Sequence, residues 1–101
     1  MPDIFKESSP TAGLYNGHTV VGTSAVALCP KLASNRGVLI RAGDTNTAPI
    51  WVGRASVTAD SAATGGMPIP PATALFIPCD DPSLVFVIST AGGQDVAWMG
   101  V

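Results

Sequence analysis

Nowhere in this chain of 101 residues do more than eleven pass without a glycine or a proline. That spacing constrains the fold more than any other feature. Proline removes a backbone donor and glycine weakens a helix interior, so no long helix can form. The segments between the breaks alternate instead. In residues 18–28, Val20, Gly22, Ser24, Val26 and Leu28 fall on one face, and Thr19, Val21, Thr23, Ala25 and Ala27 on the other. A period of two with β-branched residues predicts a strand, with Gly22 marking a bulge or a close backbone approach. Gly37–Ala42 (GVLIRA) predicts a second, with Val38, Ile40 and Ala42 toward the core and Leu39 and Arg41 away from it. Residues 49–53 (PIWVG) predict a third, continued by 55–58 after a bend at Gly53.

Residues 60–66 (DSAATGG) read as a flexible loop, and the proline-rich 67–71 as an extended connection or an edge. Ala74–Pro78 is a predicted strand and 80–83 (DDPS) a tight turn. Residues 84–89 (LVFVIS) are apolar on both faces, as a central strand would be. Residues 91–94 (AGGQ) read as a hairpin turn into a last strand, 95–101, where Val96, Trp98 and Gly100 share a face. Six or seven short strands with turn signals every 8–12 residues or so predict an all-β fold, a small antiparallel β-sandwich or barrel, jelly-roll-like. Residues 1–17 follow neither period and read as an extended N-terminal arm, leaving 18–101 as the β-sandwich domain. The arm carries Ile4, Phe5, Leu14 and Tyr15 without an organising stripe. Large apolar side chains of this kind are typical interface anchors, and with Trp51 they are the expected contact residues.

Charge narrows the function. Only 12% of residues are charged against 47% apolar, and the net charge is −2. Without a basic cluster, binding to nucleic acid through phosphates is not expected. The chain is too apolar for disorder, and no apolar run nears the ~20 residues that span a bilayer, so no membrane is expected as partner. The first ten residues lack a charged and then apolar leader pattern, so synthesis in a reducing cytoplasm is expected. Asp44, Asp60, Asp80, Asp81 and Asp95 fall in loops and at strand ends, which leaves the strand bodies almost uncharged on both faces. That is more apolar strand surface than one two-layer core needs, and it points to subunit contacts.

The inventory for chemistry is thin. His18 is the sole histidine and reads as an exposed residue at a strand start; a pairing with Cys29 has no support in the flanking sequence. Cys29 and Cys79, each beside a proline, read as small buried hydrophobes, with a disulfide as the sharper alternative. Asp80 and Asp81 before Pro82 read as turn formers, and a calcium site using them or Asp44 lacks any known loop spacing. Gly65-Gly66 and Gly92-Gly93 do not match a phosphate loop. Trp51 and Trp98 read as core or interface residues; with Phe86 they could alternatively form a sugar-stacking platform. No catalytic residue, metal or cofactor is expected, and a cupin-like metalloenzyme is disfavoured by the single histidine.

From Arg36 onward the order of motifs resembles small virion proteins of tailed phages. The matching pieces are Gly37-Val38-Leu39-Ile40-Arg41-Ala42, Asn46-Thr47-Ala48-Pro49-Ile50-Trp51-Val52-Gly53, Val57-Thr58, Gly66-Met67-Pro68-Ile69-Pro70 and Val85-Phe86-Val87-Ile88-Ser89. The stretch from Arg36 that carries them makes up about two-thirds of the chain; the arm has no counterpart. The resemblance implies a non-enzymatic virion component made in the host cytoplasm. In its terms the chain is a capsid decoration (cement) protein, or else a tail or head-fibre piece. It also implies a homo-oligomer, a trimer by preference, with the major capsid protein or another virion protein as partner. A carbohydrate-binding β-sandwich using Trp51 or Trp98 is the competing expectation.

Overall fold

The computed structural model describes residues 15–30 and 36–100. Among these, eight strands follow one another: β1 (Tyr15–Val21), β2 (Val26–Ala27), β3 (Gly37–Ala42), β4 (Ile50–Gly53), β5 (Met67–Ile69), β6 (Ala74–Pro78), β7 (Phe86–Ile88) and β8 (Gln94–Gly100). A 3₁₀ turn, Pro82–Leu84, precedes β7. The strands form two four-stranded sheets, β1-β8-β3-β6 and β2-β7-β4-β5, and all their pairings are antiparallel.

The pairs β1–β8, β2–β7, β3–β6 and β4–β5 are the rungs of one long hairpin bent at the β4–β5 connection. The further pairs β3–β8 and β4–β7 roll that hairpin into two layers. Every connection except β4–β5 therefore crosses between sheets. This is an eight-stranded jelly roll, as the turn spacing anticipated. Val21, Leu28, Val38, Ile40, Ala42, Ile50, Val52, Ile69, Val85, Val87 and Val96 fill the space between the layers. The alternation expected for β3 holds, with Val38, Ile40 and Ala42 buried and Leu39 and Arg41 exposed. Residues 67–71 supply the edge strand β5, where the missing donor of Pro68 is tolerated, and β7 is central in its sheet.

Four local expectations are corrected. The arm ends earlier than residue 17, because Tyr15–Gly17 already pair with Gly100–Trp98 in β1; His18 is thus mid-strand. Residues 18–28 are two strands in different sheets. The chain leaves the first sheet at Gly22, whose carbonyl accepts from Ser89 N–H at 2.8 Å, and a Cβ added there would meet nothing within 4 Å. The phase shifts across that crossing, so Val21 is fully buried and Val20 is 73% exposed. Residues 55–58 do not extend β4: Val57 N–H donates back to the Arg54 carbonyl, and the loop closes through a Thr58–Gly65 bridge. Within it, Asp60 accepts from Thr58 Oγ1 and Ala62 N–H, so the 60–66 loop is internally bonded. Finally, 91–94 is not a hairpin, since β7 and β8 lie in different sheets.

Two amides pin the loop before β4 onto β8. Asn46 pairs with the Asp95 backbone as a strand residue would, donating to its carbonyl and accepting from its N–H, both at 2.8 Å. Gln94 is buried and fully used. Its Oε1 accepts from Thr47 and Ala48 N–H at 2.8 and 3.2 Å, and its Nε2 donates to the Gly92 carbonyl and Thr47 Oγ1. Gln94→Leu keeps the volume but leaves the buried Ala48 N–H without an acceptor. The expected loss is about 2–3 kcal/mol, read as a lower urea midpoint with an unchanged slope.

Candidate functional site

The first sheet turns one face to the core and the other outward. On the outward face, strand register aligns Asn16, Met99, Leu39 and Phe76 in one row across all four strands. Met99, Leu39 and Phe76 are 40%, 43% and 44% exposed. The next row is His18, Ala97, Arg41 and Ala74. The small Ala97 between two long side chains leaves a hollow of about 250 Å³, bordered by Leu39 and Met99.

The charges on this face are paired among themselves. Arg41 Nη1 lies 2.6 Å from Asp44 Oδ1, and His18 Nδ1 lies 3.2 Å from Asp95 Oδ2. Both pairs are well exposed and add little stability. Both flank the apolar row. His18 therefore meets a carboxylate but no nucleophile: Cys29 lies in the core, on the other side of the sheet.

The expected contact residues are dispersed. Ile4, Phe5 and Leu14 lie outside the described residues. Tyr15 is half-buried at the start of β1, beside Gly100. Trp51 sits on the outer face of the second sheet between Ile88 and Pro68, and its buried Nε1 has no hydrogen-bond partner among the described residues. Phe86 shares that face, but Trp98 does not. Its indole packs inward over Gly17, where a Cβ would come within 2.6 Å of the ring, and its Nε1 donates to Thr19 Oγ1 at 3.2 Å. The three rings do not form one platform. Phase in β3 already marked Leu39 as outward; placing Met99 and Phe76 beside it required the sheet order.

Asp81 acts as a turn former, its carboxylate accepting from Ser83 N–H and Oγ at the start of the 3₁₀ turn. Among the described residues no three His, Cys, Asp or Glu side chains converge as a metal site would require. Cys29 and Cys79 are free thiols packed against one core. Burial, then the charges of Asp81 and Cys79, push the Cys29 thiol up. Burial also raises Cys79, aided by Asp80 and Asp81 and opposed by a backbone hydrogen bond at Asp81. Thiols shifted this way hold little thiolate at neutral pH and react slowly.

A thiol whose folded pKa lies above its unfolded value stays protonated longer in the folded state, so its contribution is complete below the unfolded pKa. It is lost as pH rises through the folded one. Stability should therefore fall above about pH 8.5, and Cys29→Ala should flatten that decline while lowering stability at pH 7. Urea titrations between pH 7 and 10 check this; an equal decline in the variant would contradict it.

Compared with known proteins, the chain matches no family model, no curated protein and no solved structure.

Proposed function

We propose that this chain is a non-enzymatic structural protein of a tailed-phage virion, a capsid decoration protein that self-associates, as a trimer by preference, and binds the shell built by the major capsid protein. The observation that carries the reading is the apolar row on the outer face of the first sheet. A sandwich buries one face of each sheet and normally presents polar side chains on the other. Here Met99, Leu39 and Phe76 stand in register in the open, with the Arg41–Asp44 ion pair beside them. Contiguous exposed apolar patches mark interaction sites, and permanent interfaces are the more hydrophobic ones. The order of strand motifs from Arg36 onward, with its resemblance to phage virion proteins, supports the choice of partner. The N-terminal Ile4, Phe5 and Leu14 add apolar anchors in the assembly.

Cosedimentation with shells assembled from the major capsid protein alone tests the reading. Saturable binding at a fixed ratio to the shell subunit is the expected result. Absence of binding to mature and immature shells alike would overturn it, and binding to tails or fibres would move the protein to that part of the particle.

A further inference from the structure

The sheets end at β1 and β6 and at β2 and β5. Natural edges are shielded by brevity, proline or charge. β2 has two residues, β5 carries Pro68 in its middle, and β1 exposes the polar Asn16 and His18. β6 (ALFIP) has no charge on either face and no proline before its last residue. Phe76 stands exposed on its outer face. Leu75 and Ile77, half-buried on the inner face, line an apolar groove with Met67 and Leu84.

The ladder to β3 fixes which backbone groups of β6 are open. Ala42 N–H donates to the Thr73 carbonyl and Cys79 N–H to the Arg36 carbonyl, both in the β3–β6 register. In an antiparallel ladder alternate residues turn both backbone groups to the same side. Residues 73, 75, 77 and 79 therefore bond toward β3, and Ala74, Phe76 and Pro78 point away from it. The open edge offers donors at Ala74 and Phe76 alone, because Pro78 has no N–H. Among the described residues no backbone group bonds to this edge.

We propose that β6 pairs antiparallel with β6 of a second copy, about a two-fold axis at Phe76. This register overlaps all five residues of the strand. Phe76 and the partner's Phe76 exchange both backbone bonds, and Ala74 N–H donates to the partner's Pro78 carbonyl. Every open donor is used, and proline falls where only an acceptor is needed. Leu75 and Ile77 meet the partner's Ile77 and the partner's Leu75 on the inner side. On the outer side the row Met99, Leu39, Phe76 runs on into its own copy, so that one apolar row crosses both sheets. The pairing rests on the self-association proposed above. A few backbone hydrogen bonds do not by themselves offset the freedom two chains lose on meeting, so the edges join where the outer-face contact gathers the chains. A two-fold contact counts chains in pairs; with a threefold outer-face contact it joins two trimers edge to edge.

Phe76→Cys tests the pair in the full-length, associated protein, with oxidised glutathione as the electron acceptor. Hydrogen-bonded cross-strand residues lie about 5.5 Å apart, within reach of a disulfide, so a two-chain band on a non-reducing gel is expected. Ala74→Cys is the register control. Its copy lies four residues along the partner strand, roughly 13 Å away, and no band is expected. Val20→Cys, 73% exposed on β1, controls for chance collision and should give none either. Amide exchange in the unmodified protein is the second reading: Ala74 and Phe76 N–H should exchange at least a hundredfold more slowly than in an open chain. Open-chain exchange at these amides in an associated protein would overturn the pairing and leave the outer-face contact standing. Protected amides without a Phe76→Cys band would give the edge to another strand and equally overturn it. A band at Ala74→Cys would overturn the register, and a protein at the single-chain mass would overturn the pairing together with the association.

Discussion

Gly37→Ala should lower the melting temperature by roughly 15–30 °C. Gly37 opens β3 and pairs with Pro78 of β6. A Cβ there would fall 2.1 Å from the Ile77 carbonyl oxygen and 2.8 Å from Pro78 Cα. Both are backbone atoms, so neither can step aside without breaking the β3–β6 register, and a φ of +155° adds strain for any side chain. A loss of about 3–5 kcal/mol is the scale of a named core or backbone disruption, against a total of about 5–15 for a domain. Each kcal/mol is worth about 4–8 °C at this size. Gly22→Ala is the control, since nothing lies within 4 Å of the added methyl. Circular dichroism melts of both variants decide it; a Gly37→Ala melting point within 5 °C or so of the parent would contradict the register.

Leu39→Glu combined with Met99→Glu should weaken self-association at least a hundredfold while leaving the fold in place. The two residues are direct cross-strand partners on the outer face and each is two-fifths exposed, so two carboxylates there stay solvated in a free subunit. Like charges placed opposite each other in a strand pair cost only about 0.2–1 kcal/mol. In an assembled contact the same carboxylates would be buried without partners, which costs several kcal/mol. Sedimentation equilibrium separates the outcomes. Association unchanged in the double variant would show that the subunits meet elsewhere, and an unfolded variant would show that this face is part of the core.

The strand content, the outward phase of Leu39 and Arg41, the proline edge at β5 and the central place of β7 were legible because each rests on a period or a breaker inside one segment. What escaped depended on partners far away in the chain. Residues 18–28 alternate without a break, and nothing local says that the strand ends at Val21 and resumes in the other sheet; the crossing is fixed by Ser89 bonding to Gly22. The amides of Asn46 and Gln94 read as loop and turn residues, yet they lock the loop before β4 to β8 across nearly half the chain. Gly17 reads as part of an irregular arm, whereas its missing side chain makes room for Trp98. The candidate surface followed the same rule. Each of its apolar residues is visible as a strand residue, and only the order β1-β8-β3-β6 brings them into one row.

If the outer face of the first sheet is a subunit contact, as proposed, the mass of the purified protein in solution reveals it. Light scattering across a dilution series should give a fixed multiple of the 10.2 kDa chain mass, threefold by preference, that falls to a single chain in the Leu39→Glu, Met99→Glu variant. A parent protein that stays at the single-chain mass at every concentration would rule that contact out.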